Sequence, residues 1–261
     1  MNIYEQLNKV IEYIEENLEN EIDYKKIGAI IGSNEQFTKT IFVFLTGISL
    51  NAYIRNRQMS KAIHDLEKNM KIIDIATKYG YASPTTFSRA FEKFHGIKPS
   101  ALLKKGNIIK NYPIITFEEK KSDNHLIEYK IKELDNLTLY GRRHIMKIDE
   151  IYEKSSKLWQ DISIPKAGKQ FGILVYPDKW ESNEVEYWIA LEKKHSSSEK
   201  LTIPSSKYIV FTIKENDPAL VPKISKNAYV KYVPSTNYKI TEAAEIEIYY
   251  EDHIEVWLPI K

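Results

Sequence analysis

Apolar residues recur at helical spacing through the first hundred positions and alternate with polar ones beyond about residue 126. Ile3, Leu7, Val10, Ile11, Ile14 and Leu18 form one helical stripe. Ile27, Ile30 and Ile31 mark a short second helix, which Gly32 stops. Ser33-Asn-Glu-Gln36 reads as a capping box that opens a helix through Phe37, Ile41, Phe42 and Leu45 to Gly47. A longer helix is predicted from about Ser49 to Lys68, with Tyr53, Ile54, Met59, Ala62, Ile63 and Leu66 apolar. Ile72 to Gly80 is another short helix. The next opens at Ser83, a good N-cap, with Pro84 where no amide donor is needed. Phe87, Ala90, Phe91 and Phe94 line its apolar face, Gly96 ends it, and Pro99 blocks continuation.

Two short helices joined by a tight turn near a glycine predict a helix-turn-helix, whose second helix enters the DNA major groove. With the apolar face inward, Thr85, Thr86, Ser88 and Arg89 lie outward and suit bases or phosphates. The pattern repeats: Phe42 and Phe91, Gly47 and Gly96, and Ile48 and Ile97 are each 49 residues apart. Two such units on one chain can place two helices in successive major-groove segments, about 34 Å apart.

Residues 105–125 read as a linker, containing Lys104-Lys105-Gly106-Asn107, Pro113 and Glu118 to Asn124 at or within its limits. Beyond it Ile127, Tyr129, Ile131 and Leu134 alternate as in a strand. Further strands are predicted at 137–145, 171–176, 185–193, 207–214, 244–250 and 253–260, with helices near 148–160 and 217–231. This β-β-α-β-β-β-α-β-β order predicts an α+β domain of two similar halves.

The formal net charge of +2 hides an asymmetry: residues 24–110 hold 15 basic and five acidic side chains. A balance of that sign over helix-turn-helix units fits a polyanion partner, although a solvated lysine-rich surface has the same composition. There are no cysteines, which excludes disulfides, thiolate metal sites and a cysteine nucleophile. No apolar run approaches the roughly 20 residues of a membrane span, and the amphipathic N-terminus does not read as a signal peptide. A cytoplasmic protein with no membrane partner is expected. The six histidines are isolated and make no metal motif. No phosphate loop or nucleophile elbow is present. No catalytic residue, metal or cofactor is therefore assigned.

Three motifs in the first part are specific. They are Gly47-Ile-Ser-Leu-x2-Tyr-Ile-Arg-x-Arg-x4-Ala62, Ile72-x2-Ile-Ala-x3-Gly-Tyr81 and Ser83-x3-Phe-Ser-Arg-x-Phe-x4-Gly-Ile-x-Pro99. They resemble the AraC/XylS family of bacterial transcription regulators over about residues 5–104. The resemblance implies an all-α, double helix-turn-helix domain over 1–104 that binds double-stranded DNA, with RNA polymerase as a further partner of an activator. Carried over by position, the base-reading face is Asn34, Gln36, Lys39 and Thr40 in the first unit. In the second it is Ser83, Thr85, Thr86 and Arg89. Arg55, Arg57, Lys93 and Lys98 fall where phosphate contact or bracing of the linker helix is expected. Thr40 stands where the family often has Arg, and Val43-Phe44-Leu45 replaces a polar, basic tail. These departures imply a first helix that reads DNA weakly or packs on the other domain. Leu102-Leu103 replaces the family's final Tyr-Arg.

The second part, 126–261, resembles the GyrI-like effector-binding domain of multidrug-sensing regulators. The matches are Leu158-Trp159, Glu186-Tyr187, Ile203-Pro204-x3-Tyr208-x-Val-Phe211, Glu245-Ile-Glu-Ile-Tyr249 and Ile254-Glu-Val-Trp-Leu-Pro-Ile260. The resemblance implies a cleft for a small cationic, lipophilic or amphipathic effector. Its carboxylate would be Glu247, and its walls Trp159, Tyr187, Trp188 and Tyr208. Alternation places Glu245 on the same face as Glu247, so spacing alone does not choose between them. Two other readings stand beside this one: a protein-interaction module, and a hydrolase of reactive small molecules. No nucleophile accompanies the paired carboxylates.

Overall fold

The computed structural model describes residues 2–102, 109–118, 128–161, 168–176, 184–196 and 198–261. The chain forms two compact units: Met1–Ile31 with Leu50–Lys120, and Gly32–Ser49 with Lys121–Lys261. The segment Gly32–Ser49, which the sequence reading places within 1–104, packs in the second of these units.

The helices are α1 (Ile3–Glu16), α2 (Tyr24–Ile31), α3 (Glu35–Thr46), α4 (Leu50–Glu67), α5 (Ile72–Lys78) and α6 (Pro84–His95). In the first unit α1 opens with a capping box. Asn2 Oδ1 accepts from the Glu5 amide at 2.9 Å, and the Asn2 amide donates to Glu5 Oε2 at 3.1 Å. Met59, Ala62 and Leu66 of α4 pack with Ile75, Ala76, Tyr79, Phe87, Phe91 and Leu102 in one buried cluster. Leu102 therefore serves the core. Asp65 of α4 braces α5: Lys78 Nζ donates to it at 2.9 and 3.0 Å, and Tyr79 Oη at 2.8 Å.

Part of the expected linker is a strap on this unit. The backbone of Phe117 exchanges two hydrogen bonds with the Asn8 side chain, at 2.8 and 2.9 Å. The Tyr112 amide donates to Ser60 Oγ at 2.8 Å. Arg57 donates to the Tyr112 carbonyl and pairs with Glu15 through two bonds of 2.8 Å. Arg57 is buried and braces α4, while Arg55, Lys93 and Lys98 are exposed. The remainder of 105–125 lies outside the described residues.

The second unit holds β1 (Lys130–Leu134), β2 (Leu137–Lys147), α7 (Ile151–Asp161), β3 (Gln170–Val175), β4 (Glu184–Leu191), β5 (Glu199–Ile203), β6 (Ser206–Ile213), α8 (Val221–Asn227), β7 (Glu245–Tyr249) and β8 (Ile254–Ile260). All eight strands form one antiparallel sheet in the order β1-β6-β8-β7-β3-β4-β2-β5. That order is symmetric about the β3–β7 junction. β1-β2-α7-β3-β4 and β5-β6-α8-β7-β8 are equivalent halves that exchange their first strands. β5 escapes the sequence reading because it is a polar edge strand in which only Ile203 is buried.

Alternation divides the sheet into two cores. Ile246 and Ile248 face a cluster with Phe171, Ile173, Trp188, Tyr208, Val210 and Trp257. The opposite face carries Met146, Ile148, Leu174, Tyr176, Val185, Tyr187 and Ile189, covered by Ile151, Leu158 and Trp159 of α7 and by Val43 of α3. Among the described residues no single helix is long and apolar enough to cross a membrane.

Candidate functional site

α6 is a capped helix with an exposed outer face. Ser83 Oγ accepts from the Thr86 amide at 3.1 Å, and Gly96 closes the helix in the left-handed region at φ 81°. Phe87, Phe91 and His95 are its buried side chains. Thr85, Thr86 and Arg89 are exposed together, and Ser83 is half-buried at the cap. This places one arginine and two hydroxyls on a single outward stripe.

α3 has the same caps and the opposite environment. Asn34 Oδ1 accepts from the Phe37 amide at 2.7 Å, and Gly47 ends the helix at φ 74°. Yet every residue from Gln36 to Val43 is buried. Asn34 Nδ2 donates to the Ile240 carbonyl at 3.2 Å, and the Thr40 hydroxyl lies 3.3 Å from Tyr176 Oη. The rings of Phe37 and Phe44 pack on Tyr229 at 5.5 and 5.6 Å. Lys39 Nζ is 2.5 Å from Glu35 Oε1, and burial still lowers the lysine's pKa. Neither amide atom of Gln36 has a hydrogen-bond partner among the described residues. The expected reading face of the first helix-turn-helix, Asn34, Gln36, Lys39 and Thr40, is therefore closed in this structure. Its apolar tail, Val43 in particular, joins the second unit's core.

The carboxylate of Glu247 lies at the β3–β7 junction, opposite Gly172. Tyr187 Oη donates to Glu247 Oε2 at 2.7 Å and Tyr249 Oη at 2.6 Å. Trp159 Nε1 in turn donates to Tyr187 Oη at 2.9 Å. Gly172 makes the arrangement possible, since a Cβ there would lie 2.5 Å from Tyr187 Oη and 2.6 Å from Glu247 Oε2. The rings of Trp159 and Tyr249 are 4.2 Å apart. With Ser155, Pro218, Val221 and Pro222 they line a narrow cleft. Burial raises the pKa of Glu247, and the two phenols only partly offset it. Among the described residues no lysine or arginine pairs with this carboxylate.

Two residues back on the same strand face, Glu245 is buried and accepts from Tyr176 Oη at 2.5 Å and from Tyr229 Oη. Burial pushes its pKa up to about 7, and nearby Glu247 adds to the shift. Because Tyr176 spends its proton on Glu245, the Thr40 hydroxyl donates to Tyr176.

Of the expected cleft walls, Trp159 and Tyr187 meet at Glu247. Trp188 and Tyr208 do not, because strand alternation turns both to the other face of the sheet. Trp188 Nε1 donates to Glu186 at 3.0 Å, and Tyr208 Oη donates to the Ala244 carbonyl at 3.2 Å. Trp257 is in that same core. The sequence reading passed over Tyr249, Gly172, Tyr176 and Tyr229. Tyr249 was accessible to it, being two positions from Glu247 on one strand.

A helix-turn-helix domain family matches residues 29–105, and an integron-associated effector binding protein family matches residues 130–260. Over 95 residues the chain is 32% identical to the HTH-type transcriptional activator AarP of Providencia stuartii, covering 36% of this chain and 70% of that protein. Over 94 residues it is 31% identical to the multiple antibiotic resistance protein MarA of Escherichia coli K12, covering 36% and 74%. The chain belongs to the AraC-type transcription regulators. This AraC-type regulator carries its effector-binding domain after the DNA-binding region, and that domain is of the integron-associated, GyrI-like kind. An integron cassette protein of Vibrio cholerae aligns with 51% of the regulator and 95% of its own chain, at 15% identity and a TM-score of 0.43.

Proposed function

We propose that this AraC-type regulator senses a small lipophilic cation in the Glu247 cleft and reads double-stranded DNA with Ser83, Thr85, Thr86 and Arg89. One observation carries the effector reading: a carboxylate held by two phenols in an aromatic cleft, with no described cationic side chain beside it. The described bonds to Glu247 both end on Oε2, so Oε1 keeps its lone pairs for a ligand. A bound cation restores the charge balance that burial denies this carboxylate. The faces of Trp159 and Tyr249 add cation–π attraction of about 0.5–2 kcal/mol each. Apolar substituents on the cation would pack on Val221, Pro218 and Pro222 once the cleft, which has room for about 10 Å³, widens to admit them.

Two independent experiments test this. Tetraphenylphosphonium, a bulky apolar monocation, should raise the melting temperature of the full chain, and Glu247→Gln should abolish the rise. A neutral analogue of equal bulk that stabilises equally would show that the carboxylate is not the recognition element. The likeness to AarP extends the proposal to activation with RNA polymerase. Transcription in vitro from a promoter carrying a selected binding site should rise on adding the protein, and a flat or falling response refutes activation.

A further inference from the structure

α3 has the side chains of a nucleic-acid face and the burial of a core helix. We infer that the effector-binding unit holds α3 as a masked reader: the chain engages DNA through α6, and undocking of α3 supplies the second reading helix. A helix that only fills a core is apolar around its whole girth. α3 instead buries the Gln36 amide with no described partner, and beside it Lys39, whose ammonium is paired with Glu35 in place of water. Such groups cost free energy in an interior and are satisfied on phosphates and base edges.

The docking is specific. It is made by Asn34 on the Ile240 carbonyl, Thr40 on Tyr176, Val43 in the apolar cluster, and two phenylalanine rings on Tyr229. Asn34 and Thr40, two of the side chains expected to face DNA, make these contacts themselves, so docking and DNA reading by α3 exclude each other. The motif does not impose this burial, because α6 presents the corresponding positions to solvent.

The sequence contains no cysteine, so Gln36→Cys and Thr85→Cys each install a sole thiol. In the full chain without DNA, maleimide should label Gln36→Cys at least about tenfold more slowly than Thr85→Cys, since labelling of the former waits on local opening. Comparable rates overturn the proposal. Tyr229→Ala alters only the receiving surface. It should tighten binding to a selected DNA fragment about tenfold and extend the hydroxyl-radical footprint to a second major-groove segment about 34 Å away. Tyr176→Phe, which keeps the ring and removes the contact to Thr40, should shift both readouts in the same direction and serves where Tyr229→Ala does not fold. A wild-type footprint that already spans both segments, or one unchanged in both variants, also overturns it.

Discussion

Thr40 and Arg89 hold the same place in two capped helices 49 residues apart, and they face opposite surroundings. Thr40 is 3% exposed and bonded to Tyr176, whereas Arg89 stands in solvent beside Thr85 and Thr86. The face expected to read DNA is exposed on α6 and buried on α3. The short hydroxyl side chain of Thr40 suits a position that is buried and 3.3 Å from Tyr176 Oη.

Arg89→Ala should weaken binding to the selected site by about 1–3 kcal/mol and relax preference at one base pair. Thr40→Lys tests the other helix. It removes the hydroxyl that bonds to Tyr176 and puts a longer side chain in its buried place, so Gln36→Cys should label faster in its presence. Fluorescence anisotropy with a panel of single-base variants checks the first expectation, and maleimide kinetics the second.

Cation binding at Glu247 should weaken as pH falls. The cation needs the ionised carboxylate, and burial has raised its pKa, so protonation competes from a higher pH than at an exposed glutamate. Titration of tetraphenylphosphonium by calorimetry across acid to neutral pH checks this. An affinity flat over that range would show that no titrating carboxylate takes part.

Stability should fall as pH rises toward neutrality because of Glu245. Its folded-state pKa of about 7 lies above the ordinary 4.5, so between those values the folded chain keeps a proton that the unfolded chain has lost. The contribution is fully present below the ordinary value and lost as pH rises through about 7. It amounts to about 3 kcal/mol for a shift of this size. Urea melts across this range should show the decline. Glu245→Gln should remove the part of the decline that Glu245 contributes.

Gly172→Ala should disrupt the cleft without a change in charge. The new methyl would lie 2.5 Å from Tyr187 Oη and 2.6 Å from Glu247 Oε2, so one of the two must move. Overpacking of this kind costs about 1–3 kcal/mol. The variant should bind tetraphenylphosphonium more weakly and melt lower, and retention of both properties would count against the arrangement at Glu247.

Local physics alone determined the helices, their caps, the 49-residue repeat and most of the strands. Ser83, Gly47 and Gly96 act within a few residues of themselves, so their roles are written in short windows, whereas the capping box expected over Ser33–Gln36 is replaced by a cap on Asn34. The alternation of β7 also placed Glu245 and Glu247 on one face. Only tertiary structure decided which face each aromatic residue joins: one-residue alternation separates Tyr187 from Trp188, and strand order selects the side that α7 covers. Tyr176 and Tyr229 reach Glu245 from 69 and 16 residues away, a convergence that no local pattern encodes. The burial of α3 belongs to the same class. Its sequence could belong to a reader or a core helix, and the apolar surface of the second unit, which receives Val43, Phe37 and Phe44, settled the choice.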